Sequence, residues 1–398
     1  MEKNMKIHTW KKGDTIENIA KEYGVRPEFI FFANDESANP TVGEELLILT
    51  PTRTHKVRQG DTPERLMLRY GIKRADLIMQ NPDVLTDGLL PDTTVVLKYD
   101  ERPYGASPTN GYIYKDYDKS RLKRALPYLT YVTVSSAVAD GGGVKFTFDD
   151  SSLIKMLLLE SKIPLLRIFD SLPNRNYRHP KEGDKFINDI IYAASGKGYM
   201  GVVLSSEGAK KNPDEFGEFI VKLRKAMIGC DLILITEVDE EIPGYICDLS
   251  DGNVFSYPKY EISPETPFSE GEFKKYSDYA KEAESAKTFI DIPCLAKIGG
   301  DFITVEDALS LARECGAEIV TDGETLVSHF DHKTRGGCKF QGLESVKRTF
   351  DLIDDLGFMG ASFDVSRTPI SYFLMYNTLF KTMTQPRVRA VEGCSEGR

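Results

Sequence analysis

The feature that most constrains this chain is an internal repeat. Gly13-Asp14-Thr15 recurs as Gly60-Asp61-Thr62, Tyr23-Gly24-Val25 as Tyr70-Gly71-Ile72, and Asn34 as Asn81, each pair 47 residues apart. Self-similarity at a fixed period marks repeated folding units. Each copy closes on a short apolar strand, 45–49 and 94–98, where the offset slips by two residues. The unit reads as strand, helix, helix, strand. In the first copy, residues 7–10 form a short strand. Asp14 or Thr15 then offers a side-chain oxygen to the free N–H groups at a helix start. Ile16, Ile19, Ala20 and Tyr23 share one helical face. Gly24 follows the helix end, where a left-handed backbone costs glycine little, and residues 26–34 give a second helix.

These residues resemble the lysin motif (LysM): an apolar strand, G-D-T, an apolar helix, Y-G-V, a second helix and an Asn. The resemblance covers residues 5–99, as one domain over 5–50 and another over 53–99. It implies two small α+β (βααβ) domains that bind N-acetylglucosamine-containing glycan, most naturally peptidoglycan. In the family, glycan lies in a shallow groove between the G-D-T loop and the loop after the second helix. The resemblance therefore implicates Gly13, Asp14, Thr15 and Ile16 with Asn34 in the first copy. In the second it implicates Gly60, Asp61, Thr62 and Pro63 with Asn81. Read from their residue types alone, G-D-T and Asn are turn and cap residues. Groove binding would then rest largely on backbone groups. Pro63 departs from the usual apolar residue, and it suits a first helical position.

At 398 residues the chain is long enough for two or three domains. Its 61 acidic residues outnumber 51 basic ones, for a net charge of -10. That argues against nucleic acid, which calls for a basic face, and leaves a neutral sugar polymer open. The start, MEKNMKIHTWKKGD, has no apolar core of a secretory signal. No run of apolar residues is long enough for a membrane span. The 6 cysteines are scattered with no C-x-x-C pair, so they imply neither a disulfide framework nor a metal site.

Residues 100–110 (DERPYGASPTN) are rich in Pro, Gly, Ser and Asn and read as a linker. Beyond it, over 111–381, apolar strand-like runs at 128–134, 165–169, 200–205, 232–238, 288–292, 318–320 and 360–363 alternate with helix-like runs. The helical runs are 152–160, 184–194, 213–227, 273–286, 305–315 and 343–356. This α/β alternation suits a parallel (β/α)8 TIM barrel. A doubly wound open sheet is the alternative, but no Gly-rich phosphate loop follows the first strand. Residues 382–398 read as a polar, flexible tail.

Several segments of this half resemble glycoside hydrolase family 18, in particular the LysM-bearing N-acetylglucosaminidases of the spore cortex. They are Asn110-Gly111-Tyr112, the run 126–131, Lys197-Gly198-Tyr199, Ile292-Pro293, Cys315-Gly316-Ala317-Glu318-Ile319 and the closing run 356–360. The family's chemistry is substrate-assisted, outside the two-carboxylate scheme. A Glu protonates the leaving oxygen, the substrate's own acetamido carbonyl attacks, and an Asp two residues earlier polarises that acetamido group. The strand motif is DxxDxDxE, and alternation along a strand would point its acids into the barrel together.

Here the motif's four positions are Met200, Val203, Ser205 and Glu207. The acid is present and the three aspartates are not. A preorganised partner of this kind is typically worth about 100-fold to 1000-fold in rate. The later-strand M-x-Y-D pattern matches Phe255-Ser256-Tyr257-Pro258, keeping Tyr257 and losing its Asp. The first strand ends Ser135-Ser136-Ala137 where the family has F-S-Y. The last strand places Asp364 where the family presents a Trp under the sugar. The chain's 1 tryptophan is Trp10, in the first repeat.

These substitutions point to a spore-associated protein that binds peptidoglycan or another N-acetylglucosamine glycan and carries a non-catalytic barrel. The alternative is an active or slow glycosidase on cortex peptidoglycan or chitin-like oligomers, using Glu207 with Tyr257 and Asp364. A third reading is an assembly protein whose barrel recruits spore coat proteins. The expected location is spore coat, cortex or cell wall, after cytoplasmic synthesis without a signal peptide. No cofactor is expected. His329 and His332 flank Asp331, but a zinc site needs three or four converging ligands, so no metal is expected either.

Overall fold

The computed structural model describes residues 5–34, 39–81, 84, 88–99, 104–141, 143–239, 241–255, 278 and 284–383. Both repeats fold as the sequence pattern predicts. In the first, strand β1 (Met5–Thr9), helices α1 (Ile16–Tyr23) and α2 (Pro27–Ala33) and strand β2 (Glu45–Leu49) follow in order, with β1 antiparallel to β2. In the second, β3 (Arg53–Lys56), α3 (Pro63–Tyr70), α4 (Arg74–Gln80) and β4 (Thr94–Lys98) repeat the arrangement. Thr15 and Thr62 cap the first helix of each copy, accepting Asn18 N–H at 3.2 Å and Arg65 N–H at 3.3 Å. Gly24 and Gly71 end those helices at φ 66° and 65°, where a side chain would be strained.

Units this small bury too little apolar surface to be robust alone, and the first copy borrows from its neighbour. Period-2 alternation splits β2 between two cores. Leu46 and Ile48 face the copy's own helices, with Ile16, Ile19 and Ile30. Leu47 and Leu49 join Met5 and Ala33 in the large core that runs through the barrel.

After β5 (Tyr104–Ser107) the barrel begins at β6 (Thr109–Ile113), followed by helix α5 (Lys119–Ala125) and strand β7 (Tyr131–Asp140). Next come β8 (Gly143–Phe146), α6 (Ser151–Leu159), β9 (Ile163–Asp170), α7 (Pro180–Lys197) and β10 (Gly201–Ser206). Then α8 (Glu207–Lys211), α9 (Pro213–Ile228), β11 (Ile233–Val238), β12 (Gly252–Phe255) and β13 (Thr288–Asp291) follow. An inserted antiparallel sheet holds β14 (Leu295–Ile298), β15 (Asp301–Thr304), β16 (Val320–Thr321), β17 (Val327–His332) and β18 (Gly336–Gln341). Strand β19 (Gly360–Asp364) returns to the barrel, and β20 (Phe380–Thr382) pairs in parallel with β5. The parallel order is β6-β19-β13-β12-β11-β10-β9-β7, closed by the pairing of β6 with β7. That is the eight-stranded TIM barrel expected, not an open sheet.

Two expectations need correction, and one helix went unread. Residues 100–110 are not simply a linker: 104–107 form β5 and 109–110 open the first barrel strand. Their polar residues are buried but bonded. Thr109 and Thr130 exchange main-chain to hydroxyl bonds at 3.1 and 3.2 Å, and Ser107 Oγ lies 2.6 Å from Tyr376 Oη. The run at 318–320, expected among the barrel strands, leads instead into β16 of the inserted sheet. Finally, the fully buried helix Ile370–Leu379 has no polar face and so gave no periodic signal. Most of the helix expected at 273–286 lies outside the described residues, as do Tyr257, Pro258 and residues 384–398 of the expected tail.

Candidate functional site

The barrel interior is layered by strand alternation. Leu165, Val203, Ile235, Val254, Phe289 and Tyr112 form one buried inner layer. Two residues further along each strand the same face recurs, which puts Arg167, Ser205, Glu237 and Asp291 on the inner face towards the C-terminal mouth, where barrel enzymes keep their sites. Three of these four are charged, and one contact dominates. Arg167 makes a two-pronged ion pair with Glu237, Nε to Oε1 and Nη2 to Oε2, each 2.7 Å. Tyr112 donates its phenol hydrogen to the same Oε1 at 2.7 Å. The Arg167 and Glu237 side chains are only 14% and 7% exposed. Burial opposes charge on Arg167, but the Glu237 carboxylate outweighs it and raises the guanidinium above its ordinary pKa. Burial, then Glu237, pushes the Tyr112 phenol well above its ordinary range. The centre of the mouth is thus a closed, charge-neutral knot.

Beside it the expected acid stands apart. Strand β10 stops at Ser206, whose hydroxyl caps α8 by accepting Gly208 N–H at 3.0 Å. Glu207 is therefore the first residue of a short helix and is exposed, rather than the inward end of a strand. Val203 is buried in the inner layer and Ser205 is half-buried. Asp364 ends β19 with 14% exposure. Its Oδ1 accepts Ser366 N–H at 3.0 Å and its Oδ2 lies 3.6 Å from Arg367 Nε, so it organises the turn that follows. Ala137 is buried at 3% exposure in the core shared with the barrel helices.

In the two repeats, Gly13 and Gly60 sit at φ 95° and 86°, turning the chain ahead of Thr15 and Thr62. Ile16 is buried and Pro63 half-buried at the two helix starts. Asn34 donates to Ile30 O at 2.8 Å and Leu47 O at 2.9 Å and accepts Leu47 N–H at 2.7 Å. Asn81 repeats this with Leu77 O and Val96 O at 2.8 Å each and Val96 N–H at 2.7 Å. Both amides thus bridge a helix end to the middle of a strand. Asp14 and Asp61 take bonds from His8 and His55, two buried residues the sequence reading missed. Their signal was available: both obey the 47-residue repeat. Arg167 and Glu237 were also missed, although each interrupts an apolar run, Arg167 in the middle of β9 and Glu237 near the end of β11.

Among the described residues no three His, Cys, Asp or Glu side chains converge as a metal site. Successive strand residues alternate faces, so His329 and His332 lie on opposite sides of β17. The His332 Nδ1 accepts the Thr334 and Arg335 N–H groups at 3.3 Å each. No described helix is long and apolar enough to cross a membrane.

The sequence of residues 8–48 matches the family model of the LysM domain. Compared by sequence with curated proteins, the chain finds no match. By structure it is similar to the spore cortex-lytic enzyme SleL of Bacillus megaterium QM B1551, with TM-score 0.73 and 17% identity over 96% of this chain and 99% of that one. SleL of Bacillus cereus gives TM-score 0.72 and 18% identity over 96% and 100%. A chitinase from Chromobacterium violaceum ATCC 12472 gives TM-score 0.61 and 16% identity over 68% and 98%. The whole architecture, repeats and barrel together, is therefore shared with SleL, and the barrel with chitinases.

Proposed function

We propose that this protein binds peptidoglycan or a chitin-like N-acetylglucosamine polymer through its LysM repeats, and that its barrel no longer hydrolyses glycan. The single observation that carries the second half is the Arg167–Glu237–Tyr112 knot. Substrate-assisted hydrolysis needs a carboxylate to stabilise a developing cation beside the acid. Here the inward carboxylate nearest β10, Glu237, is already neutralised by a bidentate guanidinium, Asp291 lies on the more distant β13, and the residue preceding the acid by two is Ser205. Catalytic groups act as a unit, so a lone acid such as Glu207 retains little of the unit's power. The first half is supported by the LysM match and by two complete copies of the fold. A spore or cell-wall location is supported by the full-length likeness to two spore cortex-lytic enzymes.

The test is an assay on the full chain, because Met5, Ala33, Leu47 and Leu49 pack into the barrel core and an excised repeat pair would expose them. Purified protein is incubated with chitooligosaccharides and with muramic-lactam cortex fragments, with Glu207→Gln in parallel. The expected result is binding by both proteins and cleavage by neither. Turnover by the wild type that Glu207→Gln abolishes would make the protein a glycosidase and overturn the non-catalytic reading.

A further inference from the structure

We infer that His8 and His55 are positioning residues for the two glycan loops, each clamping the aspartate of its Gly-Asp-Thr turn between strand and helix. This rests on the reading that those loops bind glycan. His8 Nε2 lies 3.0 Å from Asp14 Oδ2, and that same oxygen accepts the Lys11 N–H at 2.7 Å. On its other side, His8 Nδ1 lies 3.1 Å from Tyr23 Oη on α1. The second copy repeats every contact: His55 Nε2 to Asp61 Oδ2 at 2.8 Å, Arg58 N–H to the same oxygen at 2.8 Å, and His55 Nδ1 to Tyr70 Oη at 2.8 Å. A carboxylate only accepts, so Nε2 carries the hydrogen. In the neutral ring Nδ1 must then accept from the tyrosine. The triad thus selects one tautomer and fixes the imidazole from both ends.

Neither ring is needed for what holds the turn together locally. Thr15 and Thr62 already cap the helices, and the strands pair through their main chains. Burying a polar ring at 7% and 8% exposure inside a small core is costly unless it is bonded at both ends, and here it is bonded twice over in both copies. What the arrangement achieves is a fixed carboxylate. One oxygen is held by the histidine and the turn. The other, Oδ1, makes no hydrogen bond among the described residues, on side chains 24% and 15% exposed. An oriented, partly exposed acceptor suits a sugar hydroxyl or an acetamido N–H.

The groups facing the first triad are Lys11 and Asp14 on the turn, Tyr23 and Glu22 on α1, and apolar Leu46 across the strand pair. Around the second they are Arg58 and Asp61 on the turn, Arg69 and Tyr70 on α3, Arg53 over the Tyr70 ring at 4.7 Å, and Val95 across the pair. Burial works against the Asp14 carboxylate, but the bonds from His8 and the Lys11 N–H outweigh it and hold Asp14 below its ordinary pKa of 3.8. For Asp61 the bond from His55 is the largest cause of the same depression. A depressed carboxylate keeps its clamp at and above the ordinary range and loses it only as pH falls through the lowered value. Removing the histidine returns the aspartate toward its ordinary pKa, so the acid limb of binding moves up.

The experiment measures binding of N-acetylglucosamine pentamer to the full chain between pH 3 and 8, for wild type and for His8→Phe/His55→Phe. Phenylalanine keeps the ring and removes both bonds. The expected result is roughly tenfold weaker binding at pH 7, an acid limb displaced upward, and unchanged far-UV circular dichroism. A variant that binds like wild type with the same acid limb overturns the inference and leaves the glycan reading standing. Wild type that binds no pentamer overturns both. Should the double variant not fold, Tyr23→Phe/Tyr70→Phe removes only the Nδ1 partner; it should weaken binding several-fold, and unaltered affinity would again refute the clamp.

Discussion

Replacing Arg167 with methionine would test whether the barrel mouth is built as described. The substitution keeps a long side chain and deletes both hydrogen bonds to Glu237. With Glu237 7% exposed, water cannot replace the lost partner well, and a buried pair broken from one side typically costs about 3–5 kcal/mol. The Tyr112 bond to Oε1 survives and softens the loss, which puts the expectation near the lower end, about 3 kcal/mol. The sign with pH follows. An unpaired buried carboxylate relieves itself by taking up a proton, so its site loses stability as pH rises. Arg167→Met should accordingly be less destabilised at pH 5 than at pH 7. Arg167→Met/Glu237→Gln removes both charges and should recover most of the loss, because an ion pair exchanged for neutral groups is often close to neutral in stability. The assay is urea unfolding of the four proteins of that double-mutant cycle at both pH values. If Arg167→Met unfolds within about 0.5 kcal/mol of wild type, the pair is not buried and the argument against a catalytic mouth loses its support.

Two further predictions concern the seam between the first LysM copy and the barrel. Gly43 sits at φ 85°, and a Cβ there would stand 1.7 Å from the Ile319 carbonyl oxygen. Gly43→Ala should therefore cost at least about 2 kcal/mol and raise hydrogen exchange at Ile319, whose N–H bonds Val42 O at 2.8 Å; Gly13→Ala, at φ 95° with nothing within 4 Å, should cost less. Burial pushes the Glu45 carboxyl above its ordinary value of 4.5, opposed by its bond from the Glu344 N–H at 3.0 Å. A raised folded pKa means stability present below 4.5 and lost as pH rises through the folded value, so Glu45→Gln should unfold at higher urea than wild type at pH 7 and show no such gain at pH 4.

The repeats were legible because their signals are local. Caps, αL glycines and the Tyr-Gly-Val helix end are each decided within a few residues, and a 47-residue echo makes coincidence untenable. The barrel was legible as alternation but not in detail. The first strand went unread because Thr109, Asn110 and Gly111 look like linker residues, and only the structure reveals that Thr109 is bonded to the far side of the closing seam. Gly111 is there because a Cβ would meet the Leu129 methyls at 2.6 and 2.9 Å. Strand β12 is four residues long and apolar only in part, and helix Ile370–Leu379 is buried on all sides and so has no period to find.

The site was legible as a set of losses and illegible as a gain, and the reason is where each kind of signal lives. Ser205, Val203 and Met200 occupy motif positions on one strand, so a missing acid can be read along the chain. The Arg167–Glu237 pair spans the two strands flanking β10, with Arg167 on β9 and Glu237 on β11, 70 residues apart in sequence. No spacing rule links them until the parallel register is known: Gly201 stands opposite both Leu165 and Ile233. From that register the rest follows by counting in twos. Arg167 stands opposite Val203 and Ile235, and Glu237 lies two residues further along β11, in step with Ser205, so the ion pair reaches diagonally past the inner face of β10 beside Ser205. On the proposed non-catalytic reading, Ser205 and the Arg167–Glu237 pair on the strands either side of it are two parts of one change to the barrel mouth.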